Sequence, residues 1–233
     1  MLDVTAPAKV ADVVSRERPG AVIYTSFRKG DRAITVDGAR HAARAAAKAG
    51  ARFVFISTDM VLGGETGNYD ERAPAVPKLA YGEHKLEAEG NVWIEHEEGV
   101  ILRPALMVGE TSRHQRPAYE CELLSRGMPC RLFVDEWRTP VHVDDVARAA
   151  WDLASLDVRG VYHLGGPVRM SRFELGRALC DMFGFDPALC VEARRPDERP
   201  RDLSLNSGRL AALLGWQARR IETVSPRPQL ASA

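Results

Sequence analysis

The sequence has no surplus of either charge and few lysines. Its 233 residues carry 32 Lys plus Arg and 32 Asp plus Glu, so no net field draws the chain toward nucleic acid or an anionic membrane. Only five of the basic residues are lysines. An individual lysine in a patterned position, such as Lys85, is therefore a rare residue in this chain.

Long apolar runs are missing as well. No stretch approaches the about 20 apolar residues that a helix needs to span a bilayer. The first ten residues contain neither the basic nor the apolar segment of a secretory signal. The sequence therefore predicts no membrane partner and a cytoplasmic location.

The cysteines and histidines lack the spacings of metal sites. The six histidines form no HxxxH or HExxH pattern, and the four cysteines form no CxxC pair. We therefore expect no metal site and four half-buried free thiols rather than a disulfide framework. These thiols belong to Cys121, Cys130, Cys180 and Cys190.

The first half of the chain alternates between two hydrophobic periods. Short apolar runs at 21–27, 51–59 and 99–109 are typical of buried strands. Between them, 37–50 and 80–96 have helical spacing, and Gly50 is a good residue to end the first helix. This alternation predicts an α/β fold with parallel strands and right-handed crossovers.

Beyond residue 110 the pattern loosens but still predicts short elements. Ser171 lies three residues before Glu174, which is the spacing of a capping box at the start of a helix. The predicted helices are 117–127, 144–156, 170–184 and one within 207–215, and the predicted strands are two within 131–143 and one at 160–166.

The segment YGEHK places Tyr81 and Lys85 four positions apart on the second predicted helix, so their side chains share one face. An ammonium beside a phenol favours the phenolate and lowers a pKa that is near 10 in water. Thr58 lies at the end of the strand predicted at 51–59, and the long loop at 60–78 begins where open α/β sheets bind ligands. These features predict a proton-transfer site with Thr58 on the substrate carbonyl.

Two ordinary explanations compete with that interpretation. Tyr81 and Lys85 could form part of a solvated helix face. Ser57 and Thr58 could do no more than end a strand.

The motifs, in their order along the chain, resemble one known family. ITVDGARHAARAAAKAGARFVFISTDMVLGG, YGEHKLEAE, ILRPALMVG, RTPVHVDDVA, VYHLGG and RPRDLSL resemble those of extended short-chain dehydrogenases/reductases. Within that family they resemble the dTDP-4-dehydrorhamnose reductase-like branch, over nearly the whole chain. The resemblance implies NAD(P)-dependent reduction of a nucleotide-linked 4-keto sugar, with NADPH or NADH as the cofactor.

The resemblance also implies roles for individual residues. Tyr81 would be the general acid, Lys85 would lower its pKa and hold the nicotinamide ribose, and Thr58 would bind the substrate carbonyl. Arg103, Arg138 and Arg199 lie in family-like motifs, where some would meet the phosphates of the sugar nucleotide, and each could equally form a surface or interdomain ion pair. The full cofactor-binding set is Asp3, Thr25, Ser26, Ser57, Lys85 and Arg103, and the substrate-binding set is Asp59, Val61, Arg138 and Arg199.

The same resemblance implies two parts. Residues 1–112 and 140–166 would form an incomplete, Rossmann-like nucleotide-binding part with helices on both faces of its sheet. Residues 113–139 and 167–233 would form a small substrate-side lobe.

The glycine-rich turn that binds pyrophosphate in this family has no counterpart in the sequence. YTSF also stands where the family usually has an Asn-Ala-Ala-like run, and Thr35 stands where an Asn is common. We therefore expect the sequence to begin inside a longer protein, through an incomplete gene model, an expressed fragment or a truncated gene. The strand at 21–27 would then be a sheet edge, and the chain could self-associate as a homodimer.

Two other functions remain open at this point. A non-catalytic sugar-nucleotide-binding or regulatory subunit, like the methionine adenosyltransferase regulatory subunit of the same fold, would explain the missing turn. An epimerase or dehydratase would use the same Tyr and Lys. Dehydratases usually add an acidic pair, whereas here Asp59 has no Glu beside it, which favours simple reduction.

Overall fold

A computed structural model describes residues 2–28, 30–109 and 118–221 of the chain. The helices are α1 Pro7–Glu17, α2 Gly38–Ala49, α3 Ala80–Glu95, α4 Ala118–Ser125, α5 Val143–Ser155, α6 Arg172–Phe183 and α7 Gly208–Leu214. The strands are β1 Ala21–Tyr24, β2 Arg52–Ile56, β3 Val100–Pro104, β4 Met107–Val108, β5 Cys130–Phe133, β6 Trp137–Arg138, β7 Val141–His142, β8 Gly160–Leu164, β9 Met170–Ser171 and β10 Cys190–Ala193.

The main sheet has four strands in the order β1-β2-β3-β8. The pairs β1/β2 and β2/β3 are parallel, with Tyr24 opposite Phe55 and Ile56 opposite Leu102. This arrangement confirms the predicted α/β class with parallel strands. Among the described strands, β1 lies at one edge of this sheet, as the sequence predicted for residues 21–27.

The chain divides into two compact units. The first comprises residues 1–63, 71–104 and 147–163, and the second comprises 64–70, 105–146 and 164–233. The predicted two-part division has other boundaries: it places 64–70, 105–112, 140–146 and 164–166 in the nucleotide-binding part.

Alanines form the core side of α2 in the first unit. Ala39, Ala43 and Ala46 are fully buried, and they belong to the same cluster as Phe53 on β2 and Val92 on α3. Because alanine side chains are small and cost no rotamer entropy, α2 can approach its neighbours closely.

Two helix ends form as the sequence predicted. Gly50 takes the left-handed conformation after α2, with φ 67°. Ser171 Oγ accepts from the Glu174 backbone N–H while the Glu174 carboxylate accepts from the Ser171 N–H, which completes the capping box of α6.

Other predicted elements need correction. The single strand expected at 99–109 is two strands, because Pro104 cannot donate a ladder hydrogen bond and the chain leaves the main sheet there. The sequence predicted two strands within 131–143, whereas the structure has three short strands, β5, β6 and β7, between residues 130 and 142. Helix α1 was not predicted, although Pro7 in its first turn and the buried pair Val10 and Val14 at i, i+4 indicate it. Residue 117 of the predicted helix 117–127 lies outside the described residues.

Within the described part of the chain, no helix has the length and apolar character needed to cross a bilayer. Those same residues contain no group of three or more His, Cys, Asp or Glu side chains arranged to hold a metal ion.

A buried ion pair links α3 to the ends of two strands. Glu89 on α3 accepts hydrogen bonds from Arg103 Nε at 2.9 Å and from Arg103 Nη2 at 2.6 Å, and it also accepts from the Ser57 hydroxyl. Glu89 is 1% and Arg103 is 5% exposed. A charge-assisted, two-point contact of this kind fixes both side chains in one geometry.

A second ionic group joins α3 to α2 at the surface. Glu95 accepts from Arg40 Nε and Arg44 Nε, each at 2.7 Å. The hydrogen bond from Arg44 is the main cause that lowers the pKa of Glu95 to about 2; Arg40 adds to this effect, and burial opposes it.

We expect Glu89→Gln to lower the free energy of unfolding by about 3–5 kcal/mol, because Arg103 would remain buried without a carboxylate. The double variant Glu89→Leu/Arg103→Met should be markedly more stable than Glu89→Gln, since it buries no charge. Urea unfolding measures both values. A double variant less stable than Glu89→Gln would contradict this assignment.

Glu95→Gln should lower the free energy of unfolding by up to about 1 kcal/mol at neutral pH. The folded-state pKa of Glu95 is depressed, so its stabilisation is complete above about pH 4.5 and is lost as the pH falls toward about 2. The difference from wild type should therefore shrink over that interval in urea titrations. Glu97→Gln, at an exposed site beyond the helix, is the control; an equal effect there would refute the specific role of Glu95.

Candidate active site

The polar residues that follow β1 and β2 lie at the same edge of the main sheet, because the two strands are parallel neighbours in register. Thr25 is exposed and Ser26 is half-buried after β1. Ser57 and Thr58, which follow β2, are buried. The structure thus brings together four of the residues that the sequence predicted for cofactor or substrate.

Thr58 already has partners for its hydroxyl. Its Oγ1 donates to Asp59 Oδ1 at 3.2 Å and accepts from the Met60 backbone N–H at 3.3 Å. Thr58 thereby caps a short 3₁₀ turn over Asp59–Val61. To donate to a substrate carbonyl, the hydroxyl would have to rotate away from Asp59, which a threonine hydroxyl can do.

This turn also carries Asp59 and Val61, which the sequence predicted for substrate binding, and both are buried. Asp59 is 3% exposed, and the Val61 side chain is fully buried.

Tyr81 and Lys85 lie one turn apart on α3, as the spacing predicted. Lys85 is 3% exposed, and its Nζ donates to the Ile56 carbonyl at 2.8 Å. Its ammonium also lies 4.7 Å from the centre of the Phe55 ring, which is a favourable cation–π contact. A lysine so enclosed does not belong to a solvated helix face, whereas Tyr81 is half-buried.

Phe27 is a residue of this site that the sequence interpretation missed. Its ring meets the Tyr81 ring edge to face, with centroids 4.9 Å apart, and lies 5.8 Å from Lys85 Nζ. The signal available in the sequence was its position in YTSF, the run that departs from the family pattern. An aromatic ring therefore packs against both members of the pair.

Gly82 sets how closely α3 approaches the turn after β2. A Cβ at this position would lie 2.1 Å from the Met60 carbonyl oxygen and 2.8 Å from the Pro77 side chain. Because the nearer contact is with backbone, no larger residue fits without a shift of one of the two segments.

Arg103 and Asp3, both predicted for cofactor binding, lie in different environments. Arg103 is occupied by the Glu89 carboxylate, and its Nη1 lies 3.5 Å from His163 Nε2. Asp3 is exposed, and the hydrogen bonds that Thr5 donates from its hydroxyl and backbone lower the pKa of its carboxyl.

The second unit contains the remaining two predicted residues. Arg199 contacts the buried Glu136 through Nε at 2.6 Å and Nη2 at 3.0 Å, and Arg138 Nη2 lies 3.2 Å from the same carboxylate. Burial alone would raise the pKa of Glu136, but these guanidinium groups outweigh it and the pKa lies below its usual value. Both arginines thus share an internal carboxylate, and Arg199 is the more exposed of the two.

The second unit also has a cavity of about 450 Å³, lined by Asn68, Arg169, Ser207 and Trp216 among others. None of the predicted site residues lines it.

Tyr81 and Lys85, on one helix face at the carboxyl edge of a parallel sheet, are the described residues that could hold the ribose of a nicotinamide cofactor. The sequence has no GxGxxG or GxxGxxG run to supply a pyrophosphate cradle.

Comparison with known proteins shows the family of this chain. The family model described as RmlD substrate binding domain matches residues 1–225. The dTDP-4-dehydrorhamnose reductase of Mycobacterium tuberculosis is 30% identical over 218 residues, which cover 89% of this chain and 69% of that protein. Methionine adenosyltransferase 2 subunit beta of Bos taurus is 30% identical over 192 residues, 77% of this chain and 58% of the relative.

A solved structure shares the fold. The dTDP-4-dehydrorhamnose reductase of Bacillus anthracis, in complex with NADP, superposes with a TM-score of 0.85 at 24% identity and covers 95% of this chain and 84% of that one. The present chain spans 58 to 69% of the length of the two sequence relatives above.

The match to the family model over nearly the whole chain agrees with the parallel sheet of the first unit. This chain belongs to the RmlD substrate binding domain family of extended short-chain dehydrogenases/reductases.

Proposed function

We propose that this chain acts in NAD(P)-dependent reduction of nucleotide-linked 4-keto sugars, with Tyr81, Lys85 and Thr58 as its catalytic set. The observation that carries the proposal is the buried Lys85. Its ammonium binds the carbonyl of Ile56, two residues before Thr58, and it lies one turn from Tyr81. Helix α3 is thereby attached to the strand end that carries Thr58.

Each residue has one task in this mechanism. The Thr58 hydroxyl turns from Asp59 and donates to the keto oxygen, which orients the carbonyl. Tyr81 Oη gives its proton to the same oxygen as that oxygen gains negative charge. The Lys85 ammonium stabilises the phenolate that remains, because opposite charges attract strongly in a partly dry site. A bound nicotinamide cofactor, NADPH or NADH, supplies the hydride.

The substrate class rests on the relatives. The relative from Mycobacterium tuberculosis and the structural neighbour from Bacillus anthracis are both named dTDP-4-dehydrorhamnose reductases. We extend that class, a nucleotide-linked 4-keto sugar, to this chain.

A second candidate is a non-catalytic, regulatory subunit of the same fold. The contact of Phe27 with Tyr81 and Lys85 favours it, since an aromatic ring lies against the phenol and ammonium that a substrate and cofactor would need to approach. The bovine relative is itself named as a subunit of methionine adenosyltransferase.

Tyr81→Phe should lower turnover by about 10²–10⁴-fold, the usual contribution of a general acid, and should leave cofactor binding within a few fold of wild type. The assay follows NADPH and NADH oxidation with a dTDP-linked 4-keto-6-deoxy sugar. Tyr162→Phe removes the same atom from a strand of the main sheet, β8, and is the matched control. Equal turnover in wild type and Tyr81→Phe would refute the acid role.

Fluorescence titration of the chain with NADPH and with NADH separates the two candidates. The reductase proposal predicts saturable binding that weakens at least about tenfold in Lys85→Met, because a charged hydrogen bond to the ribose would be lost. Lys48→Met, on the exposed side of α2, should bind as wild type does. An absence of saturable binding, together with an absence of turnover, would favour the regulatory subunit.

A further inference from the structure

Three of the four cysteines lie close together in the second unit. Cys190 is the first residue of β10, Cys130 is its register partner on the parallel strand β5, and Cys180 is in the last turn of α6. The sulfurs of Cys180 and Cys190 are 3.5 Å apart. Sulfur atoms at this distance are in van der Waals contact, one short movement from a bond of about 2.05 Å.

The geometry points to a reversible disulfide between Cys180 and Cys190 as an oxidative modification site of this protein. Thiol–disulfide exchange with a low-molecular-weight disulfide would form it.

The position of Cys190 favours Cys180 over Cys130 as its partner. Neighbouring strands are about 4.7–4.9 Å apart, whereas the Cβ atoms of a disulfide lie about 3.5–4.5 Å apart, so residues directly opposite on β5 and β10 are poorly placed to bond. The Cys190 sulfur instead faces α6, because a Cβ at Gly176 of that helix would lie 3.6 Å from it. Cys180 lies one turn further along the same helix.

The two thiols differ in access. Cys190 is partly exposed, whereas Cys180 is 1% exposed. Burial is the largest cause that raises the pKa of Cys180 to about 12, and its hydrogen bond with Cys190 adds to that rise. Cys180 is therefore a protonated thiol at neutral pH, and Cys190 is the group that a soluble disulfide reaches first.

The exchange proceeds in two balanced steps. Cys190 loses its proton to water, and its thiolate attacks one sulfur of the small disulfide, which forms a mixed disulfide and releases one small thiolate. The Cys180 sulfur then attacks the Cys190 sulfur and displaces the second small thiolate, which takes up the proton that Cys180 loses. Two electrons pass from the cysteine pair to the small disulfide, which leaves as two thiols.

Peptide mapping tests the site on the whole chain. The native protein is incubated with oxidised glutathione, its remaining thiols are alkylated under denaturing conditions, and it is digested with trypsin. Cys180 and Cys190 fall in one tryptic peptide, 178–194, and Cys130 falls in another, 127–131. The expected product is peptide 178–194 without alkyl groups, with a mass two hydrogens below that of the reduced peptide. The number of free thiols per chain should fall from four to two. A reducing agent should restore both values.

Other products would overturn the proposal. These are a cross-link between peptides 127–131 and 178–194, a stable glutathione adduct on Cys190 in the wild type, or alkylation of both cysteines in 178–194. Cys180→Ser should retain the glutathione adduct on Cys190, and Cys130→Ser should oxidise as the wild type does. If a variant fails to fold, the wild-type map alone decides between these products.

Discussion

The buried carboxylate of Glu89 is the interaction on which the geometry of the first unit depends. It binds Arg103 at the end of β3 and Ser57 just beyond β2, while Glu89 itself lies on α3. Such a pair is costly to desolvate and contributes little net stability, but its directional bonds leave α3 few ways to lie on the sheet. The ion pair therefore fixes the position of α3 on the sheet more than it adds to the free energy of unfolding.

That position matters because Tyr81, Lys85 and Glu89 follow one another at intervals of four on a single helix face. Glu89 fixes the inner end of this face, Lys85 binds the Ile56 carbonyl in the middle, and Tyr81 is left half-buried at the outer end. The burial of the side chain therefore decreases from Glu89 through Lys85 to Tyr81. Tyr81 is therefore the most accessible of the three, and two buried charged side chains follow it on the same helix face.

The sequence predicted those features that follow from local pattern, and it missed those that arise from contacts between distant segments. The spacing of Tyr81 and Lys85, the capping box at Ser171 and the parallel sheet all follow from local periodicity and chemistry. The carboxylate partners of Arg103, Arg138 and Arg199 could not be chosen from the sequence, because many acidic residues were available and only tertiary packing selects Glu89 and Glu136. The ring of Phe27 against Tyr81 is likewise a product of the fold, since 54 positions separate the two residues.

The glycine that follows Tyr81 has a consequence for how this region could change. Because Gly82 has no side chain, the start of α3 packs directly on the carbonyl of Met60. Neither the helix nor the turn after β2 can therefore move toward the other. The positions of Tyr81 on the helix and of Thr58 on the turn therefore depend on each other. Mutations in the loop at 60–78 would have to preserve the contact between Gly82 and Met60. Changes of sequence would therefore be tolerated more readily in the later part of this loop than at its first residues.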